Sequence, residues 1–169
     1  SPGQVNAQVP WELAGQTNVQ VVVTRNGAAS LPVIANLAPA APGIFLIREN
    51  AGVVVNASTG RLVDRQTSVR RGEALVIYAS GLGAVAASSA TGVPASSTEL
   101  EPTREPVAAL VSTNGQASEL QMLFAGSAPG FIGVNQVNAI VPLSVPPGLA
   151  ALRLRTRGVD SNEVLIAIE

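Results

Sequence analysis

The stretch Gln136-Val137-Asn138-Ala139-Ile140-Val141-Pro142 occurs a second time near the start of the chain, as Gln4-Val5-Asn6-Ala7-Gln8-Val9-Pro10. The two copies lie 132 residues apart and are identical at six of their seven positions. Self-similarity at a fixed offset is the signature of a structural unit that is used more than once. The repeat therefore predicts that the chain begins with part of a unit whose full copy follows.

The likeness continues beyond these seven residues. At the same offset Arg25 matches Arg157, and a turn follows each of them. The offset is then expected to shift by one residue, so that Ser30, Val33 and Ile34 align with Ser161, Val164 and Leu165. A further echo pairs Ala41-Pro42-Gly43 with Ala128-Pro129-Gly130.

Short apolar runs bounded by Gly, Pro, Asn or Ser predict strands rather than helices. The expected strands are Gln4–Val9, Val19–Arg25, Leu31–Leu37, Gly52–Asn56, Ala74–Ala79, Val107–Ser112, Leu120–Ala125, Val134–Val141, Ala151–Thr156 and Glu163–Ile168. From residue 52 onward there are seven, the number of an immunoglobulin-like sandwich. The predicted fold is all-β: an immunoglobulin-like β-sandwich preceded by a partial, three-stranded copy of the same unit.

This interpretation divides the chain into two parts. Residues 1–47 are expected to be the partial unit plus a linker, whose Pro–Ala composition at 38–47 suits a semi-rigid joint. Residues 48–169 are expected to form the complete seven-stranded sandwich. Within it, residues 84–106 are rich in Ala, Ser, Thr and Pro and are predicted to form a long exposed loop.

The amino-acid inventory excludes several classes of site. The chain has no Cys and no His, and all ten of its basic residues are Arg. A zinc site, a Ser–His–Asp triad, a Schiff base and a P-loop each need a residue type that is missing. The net charge is −1 and the arginines are scattered, so no basic stripe for nucleic acid is present. We expect no enzyme activity, no cofactor, no metal site and no nucleic-acid partner.

The location of the protein is less constrained by composition. The longest apolar stretch, at 31–47, is interrupted by Pro32, Pro39 and Pro42 and is too short to span a bilayer. The chain begins at Ser1 without Met or a signal peptide, as a processed product or an excised fragment would. Absence of Cys fits an extracellular protein, but a cytosolic domain without Cys fits equally well.

Four phrases resemble a known family in the same order along the chain. They are Ser1–Pro10 (SPGQVNAQVP), Ala41–Phe45 (APGIF), Gly72–Gly83 (GEALVIYASGLG) and Phe124–Gly130 (FAGSAPG). Together they resemble the uncharacterised C-terminal β-domain of Solibacter-type acidobacterial secreted proteins, which is similar to IPT/TIG immunoglobulin-like modules. The resemblance implies export, an extracellular or cell-surface location and a sandwich fold, and it implies no catalytic residues.

A glycine-rich phrase follows the predicted strand at 74–79. Gly81 and Gly83, with Ala86, imitate the spacing of a dinucleotide-binding fingerprint, which works only at the N-terminus of a helix in a βαβ unit. The residues after Ala86 predict no such helix. We therefore assign Gly81 and Gly83 to a structural turn.

Two asparagines occupy equivalent places in the two repeats. Asn6 and Asn138, with Gln4 and Gln136, are expected to project from one side of their strands, opposite the apolar residues. A polar ligand site is one interpretation. We favour a structural role in which these amides hold neighbouring loop backbone.

The carboxylates of the central region suggest no acid–base pair. Those that lie in the Ser/Pro-rich loop are expected to be solvated, and a loose Ca²⁺ site there has no recognisable loop spacing. The set is Asp64, Glu73, Glu99, Glu101, Glu105 and Glu119.

The five aromatic residues offer little for sugar stacking. We expect most of Tyr78, Phe45, Phe124 and Phe131 to be buried, which leaves Trp11 as the one plausible exposed platform.

Two functions remain from this sequence. In the first, the protein is a structural subunit or terminal module of a surface assembly or filament, and its partial unit is completed by strands from other copies of itself or of its parent protein. The expected self-association residues are Val21, Val23, Val33 and Ile34. In the second, it is a binding or anchoring module for glycan or the cell envelope, cut from a larger exported protein.

Overall fold

The computed structural model describes residues 3–86 and 89–169, and within these ranges it contains β-strands, one short 3₁₀ helix and no α-helix. The 3₁₀ helix is η1 (Trp11–Leu13). The strands are β1 (Asn18–Val21), β2 (Thr24–Arg25), β3 (Ala28–Ala29), β4 (Val33–Asn36), β5 (Gly43–Ile44), β6 (Leu46–Arg48), β7 (Ala51–Gly52), β8 (Val54–Asn56), β9 (Ala74–Ser80), β10 (Val107–Thr113), β11 (Gln116–Glu119), β12 (Gln121–Ser127), β13 (Asn135–Ile140), β14 (Gly148–Thr156), β15 (Val159–Asp160) and β16 (Val164–Ile168).

Most of these strands form a sandwich of two antiparallel sheets. The first sheet has the order β12-β13-β9-β5, with β8 also paired to β9. The second has the order β11-β10-β14-β15, with β16 also paired to β14. Each of the seven strands predicted from residue 52 onward is present. The predicted all-β sandwich fold is thereby confirmed, and strands β1 to β4 lie outside the two sheets as the partial copy.

The core lies between the two sheets and is built by strict alternation along the strands. Leu75, Ile77 and Ala79 of β9 are fully buried, and the intervening residues are only partly buried. Leu152 and Leu154 of β14 face them from the second sheet in the same pattern. Full burial of an aliphatic side chain contributes about 1.5–3 kcal/mol, so this Val–Leu–Ile layer supplies the main stabilisation in a chain with few aromatics.

The segment expected to be a linker is part of the sandwich. Gly43–Ile44 pairs with the end of β9, and Ile44 is buried in the core. The Asn162 side chain accepts a hydrogen bond from the Ile44 N–H and donates one to the Ile44 carbonyl. Leu46–Arg48 then pairs with β7. Prolines at 39 and 42 suggested an open joint, but they stand before this pairing and do not interrupt it.

The long loop at 84–106 is also more ordered against the sandwich than its composition predicts. Val85 and Ala95 are buried, and Val85 forms an isolated bridge with Thr103. The Glu101 carboxylate is buried and accepts hydrogen bonds from the backbone and hydroxyl of Ser89. Burial acts to raise the pKa of Glu101, but the hydrogen bonds outweigh it and hold the pKa below its usual value. Glu101 is therefore a buried anchor of the loop, where solvation was expected.

The Gly81–Gly83 turn brings the start of the sandwich against the end of β9. Both glycines have positive φ, at 71° and 96°. The Gly81 carbonyl accepts a hydrogen bond from the Ala41 N–H, and a Cβ at residue 81 would lie 2.0 Å from the Ala41 carbonyl oxygen. At Gly83 a Cβ would lie 3.2 Å from the Pro39 carbonyl oxygen. The close backbone approach excludes a side chain here and supports the structural turn.

Gly81→Ala should destabilise the sandwich far more than Gly60→Ala. Both positions need a positive φ, which is unfavourable for Ala by about 1–2 kcal/mol, but residue 60 has open space around it. The backbone clash at residue 81 adds to that strain, so we expect a loss above about 3 kcal/mol there. Urea unfolding followed by circular dichroism measures both. Equal losses would show that the approach of Ala41 is not a constraint.

Candidate functional site

The partial copy contains a β-hairpin that stands apart from both sheets. Strand β1 pairs with β4 in the register Val21↔Val33 and Val19↔Ala35, and β2 pairs with β3 next to the turn. The turn residues Asn26 and Gly27 both have positive φ, as a two-residue hairpin loop requires. We call residues 17–37 the free hairpin.

The free hairpin reproduces the β14–β16 hairpin in its local bonding. The Ser30 N–H donates to the Val23 carbonyl while the Ser30 hydroxyl accepts from the Val23 N–H. Ser161 makes the same two bonds with Leu154. The two hairpins are thus structural copies of each other, including the point at which each strand pair is interrupted.

This correspondence corrects the sequence alignment of the repeat. The turn Asn26-Gly27 matches Arg157-Gly158 in its φ values, so Arg25 corresponds to Thr156 and not to Arg157. The offset is 131 throughout the hairpin and 132 over the seven-residue repeat. The one-residue shift therefore precedes β1, where the sequence placed it after Arg25.

The seven-residue repeat itself takes different structures in the two copies. Asn135–Ile140 lies between β12 and β9, whereas residues 4–9 form no strand, contrary to the prediction. The cause is the lack of neighbouring strands: among the described residues no strand lies on either side of the first copy, so no described backbone group pairs with it. Its amides still repeat one contact, since Gln4 Nε2 donates to Asn6 Oδ1 as Gln136 Nε2 donates to Asn138 Oδ1. Asn6 and Asn138 thus bond the neighbouring Gln side chain, where a bond to loop backbone was expected.

The end of this segment is attached to the sandwich by polar contacts. The Gln8 side chain accepts a hydrogen bond from the Gly92 N–H. The Thr91 hydroxyl accepts from the Trp11 N–H and donates to the Glu12 carboxylate. That bond from Thr91 lowers the pKa of Glu12. These contacts tie residues 8–12, which lead into the free hairpin, to the long loop at 84–106. They do not cover the hairpin itself.

The free hairpin exposes the residues that its copy buries. Val21, Val23 and Val33 correspond to Leu152, Leu154 and Val164. The three in the complete copy have no exposed surface, while Val21, Val23 and Val33 are 46%, 48% and 65% exposed. Side chains alternate across a strand, so these valines share the face that points to the core in the complete copy. We call this the inner face of the free hairpin.

Ile34 does not belong to the inner face, contrary to the grouping expected from sequence. It pairs with Gln20 and lies one residue from Val33, so its side chain projects from the opposite, outer face. Its counterpart is Leu165, which is half-buried. Three of the four predicted self-association residues are thus brought together, and the fourth is separated from them by the pleat.

The outer faces of the two hairpins differ in charge. On the complete copy, Arg153 and Arg155 form ion pairs with Asp160, and Arg153 also pairs with Glu163. The hydrogen bonds from Arg155 hold the pKa of Asp160 below its usual value. The equivalent positions on the free hairpin carry no charge; they are Val22, Thr24, Ala29 and Pro32. Charge that would keep an exposed β-surface from associating is therefore absent from this face.

The structure adds no support for the other candidate sites that the sequence suggested. Within the described ranges no group of three or more acidic residues is placed to hold a metal ion, and no described helix is long and apolar enough to cross a bilayer. No helix follows Gly83 in the described residues.

Phe45 and Phe131 are substantially exposed, contrary to expectation, and Phe131 lies against Tyr78 with ring centroids 6.3 Å apart. Trp11 is half-buried, so it is a poorer platform than predicted.

Comparison with known proteins gives no further guide. A scan against protein-family models, a search of curated proteins and a search of solved structures each find no match. The free hairpin is the candidate functional site on its geometry alone.

Equivalent substitutions in the two hairpins should have unequal effects. Leu152→Ala removes a fully buried side chain and should lower the free energy of unfolding by about 2–5 kcal/mol. Val21→Ala, at the matching position, should change it by less than about 0.5 kcal/mol in dilute solution. Urea unfolding of each variant tests this. A loss above about 1.5 kcal/mol for Val21→Ala would mean that the free hairpin packs within its own chain.

Proposed function

We propose that this protein is a non-enzymatic structural subunit, or terminal module, of an extracellular or cell-surface assembly in which subunits are joined by β-strand pairing at the free hairpin. The observation that carries the proposal is the exposed inner face: valines in a hairpin whose own copy, 131 residues later, buries every equivalent side chain.

The open edge of β1 supports strand pairing as the mode of association. In the complete copy, β14 is paired on both sides, by β16 and over seven residues by β10. In the free hairpin β4 takes the place of β16, and no described strand takes the place of β10. Unpaired backbone donors and acceptors along a strand recruit strands from other chains.

Size also favours association. An isolated two-stranded hairpin is at best marginally stable in water, and three or more strands with a shared apolar face are needed for stability. The free hairpin is only two strands wide, with the pairs β1–β4 and β2–β3 in succession, and only the polar contacts of residues 8–12 adjoin it. Another polypeptide would therefore add both backbone pairing and burial of the valine face.

The extracellular part of the proposal has separate support. The four phrases that resemble secreted Solibacter-type proteins are spread over most of the chain, and a protein without Cys has no thiol to oxidise outside the cell. Treatment of intact cells with trypsin, which cleaves after Arg, checks the location: a chain at the cell surface should be digested, and a chain that is cleaved only after the cells are lysed contradicts this part of the proposal.

Val21→Asp should abolish assembly without unfolding the sandwich. A charge on the inner face cannot be buried unpaired, so sedimentation velocity should show the wild type as concentration-dependent oligomers and Val21→Asp as a monomer. Val159→Asp is the matched control, because Val159 is exposed to nearly the same degree on the tip of the other hairpin. Circular dichroism should be unchanged for both. A wild-type chain that stays monomeric at millimolar concentration, with the β1 amides protected, contradicts the proposal.

A further inference from the structure

We infer that the edge of β1 in one copy adds to the open edge of β12 in a second copy. This inference rests on the proposed function and specifies the surface that receives the free hairpin.

The number of strands in each chain argues against pairing of the free hairpin with a strand equivalent to β10, which is how the β14–β16 hairpin is paired. Each chain has two hairpins of this type and one set of strands, β8 to β13, that packs on them. That set is already occupied by β14 and β16. A second copy therefore has no free equivalent of β10, and it must offer the hairpin a different edge.

In the part of the chain that the structure describes, one side of the sandwich has no long uncovered strand edge. The backbone of β16 is covered along its outer side, since Leu165 N–H donates to Asn50 and Ala167 N–H donates to Asp64. The outer side of β8 is covered by residues 61–63. The terminal strands at the opposite side, β11 and β12, pair on one side only among the described strands.

Of these two edges, β12 is the better acceptor. Strand β11 has four residues and ends at Glu119, and short charged edges resist strand addition. Strand β12 has seven residues, none of them charged. Loop residues 101–103 cover it only at Ala125–Ser127, where Thr103 N–H donates to the Ala125 carbonyl and Ser127 N–H donates to the Glu101 carbonyl.

The uncovered part of β12 borders a groove on the surface of the sandwich. A bulge lies between Met122 and Phe124, and Leu123 at this bulge is 56% exposed. The groove has a volume of about 470 Å³ and runs between β12 and the segment that leads into β10. Its lining is mixed: Pro102, Pro106, Val107, Met122, Leu123 and Phe124 are apolar, and Thr103, Arg104 and Glu105 are polar or charged.

The edge of the free hairpin matches the apolar β12 side of this groove, formed by Met122, Leu123 and Phe124. Residues 18–24 contain no charge, no Pro and no Gly, and four of the seven are Val. An added strand would place Val19, Val21 and Val23 on one face, in line with Met122, which packs against the core. Both the unpaired backbone of β1 and the valine face would then be covered by one docking event.

The arrangement has a consequence for symmetry. The hairpin edge and the β12 edge are different surfaces of the same chain, so the contact is heterologous. Heterologous contacts generate closed rings or open filaments, whereas contact between two free hairpins would stop at a dimer.

Cysteine cross-linking of mixed variants tests the inference, because the natural chain has no Cys. Val22→Cys and Leu123→Cys, which would lie on the same outer face of the extended sheet, are prepared separately, mixed and treated with a bismaleimide whose reach, about 8 Å, spans opposite and diagonal strand neighbours. We expect a covalent dimer in the mixture and at least tenfold less in either variant alone. Val159→Cys mixed with Leu123→Cys is the matched control and should give none.

The remaining outcomes separate this inference from the proposed function. A dimer of Val22→Cys alone at the same yield overturns the β12 docking but retains assembly through the hairpin. Sedimentation of an oligomer with no cross-link in any mixture also overturns the docking. A monomer under all conditions overturns both. If Leu123→Cys fails to fold by circular dichroism, Gln121→Cys on the same edge replaces it.

Discussion

Burial of the inner face of the β14–β16 hairpin is the interaction on which the rest of the structure depends. Strand β14 pairs with β10 on one side and with β16 on the other, and its alternate residues fill the centre of the core. Through Asn162, which follows the hairpin turn, the same element fixes the start of the sandwich at Ile44. The free hairpin has the same local form without this burial, and in the proposed assembly a second copy supplies it.

Comparison of the two hairpins separates the features that local sequence determines from those that tertiary contacts determine. The positive-φ turn and the serine that interrupts the strand pair recur in both copies, at Asn26-Gly27 with Ser30 and at Arg157-Gly158 with Ser161. These local features define a hairpin in either setting. The seven-residue repeat shows the opposite case, because it is a strand only where β9 and β12 supply backbone partners. For residues 4–9 the environment decides the conformation.

Much of the fold was predictable because its signals are local. The seven strands of the sandwich alternate in burial or form short apolar runs, and Gly81 and Gly83 mark a turn that their positive φ values require. The role of residues 43–48 was missed because their Pro–Ala composition does not show that they pair with β7 and β9. Glu101 was missed for a similar reason: its serine partner, Ser89, lies 12 residues away in a loop that was expected to be solvated.

The candidate site was predicted in part. Val21, Val23 and Val33 share one face, as the strand period indicates, but Ile34 required knowledge of the register to be placed on the other side. The loss of charge on the outer face, from Arg153 and Arg155 to Val22 and Thr24, became visible only after the offset of 131 was established from the paired strands. A one-residue error in alignment exchanges the two faces of a strand.

The central claim is that the backbone of β1 is paired in the assembled protein. Amide hydrogen exchange measured by NMR at increasing protein concentration tests it most directly, with the amides of Gln20 and Val22, which point away from β4, compared with those of the equivalent Ala151 and Arg153 in β14. The account predicts that protection at Gln20 and Val22 rises with concentration while the β14 amides stay protected throughout. Fast exchange at Gln20 and Val22 that does not change with concentration would contradict it.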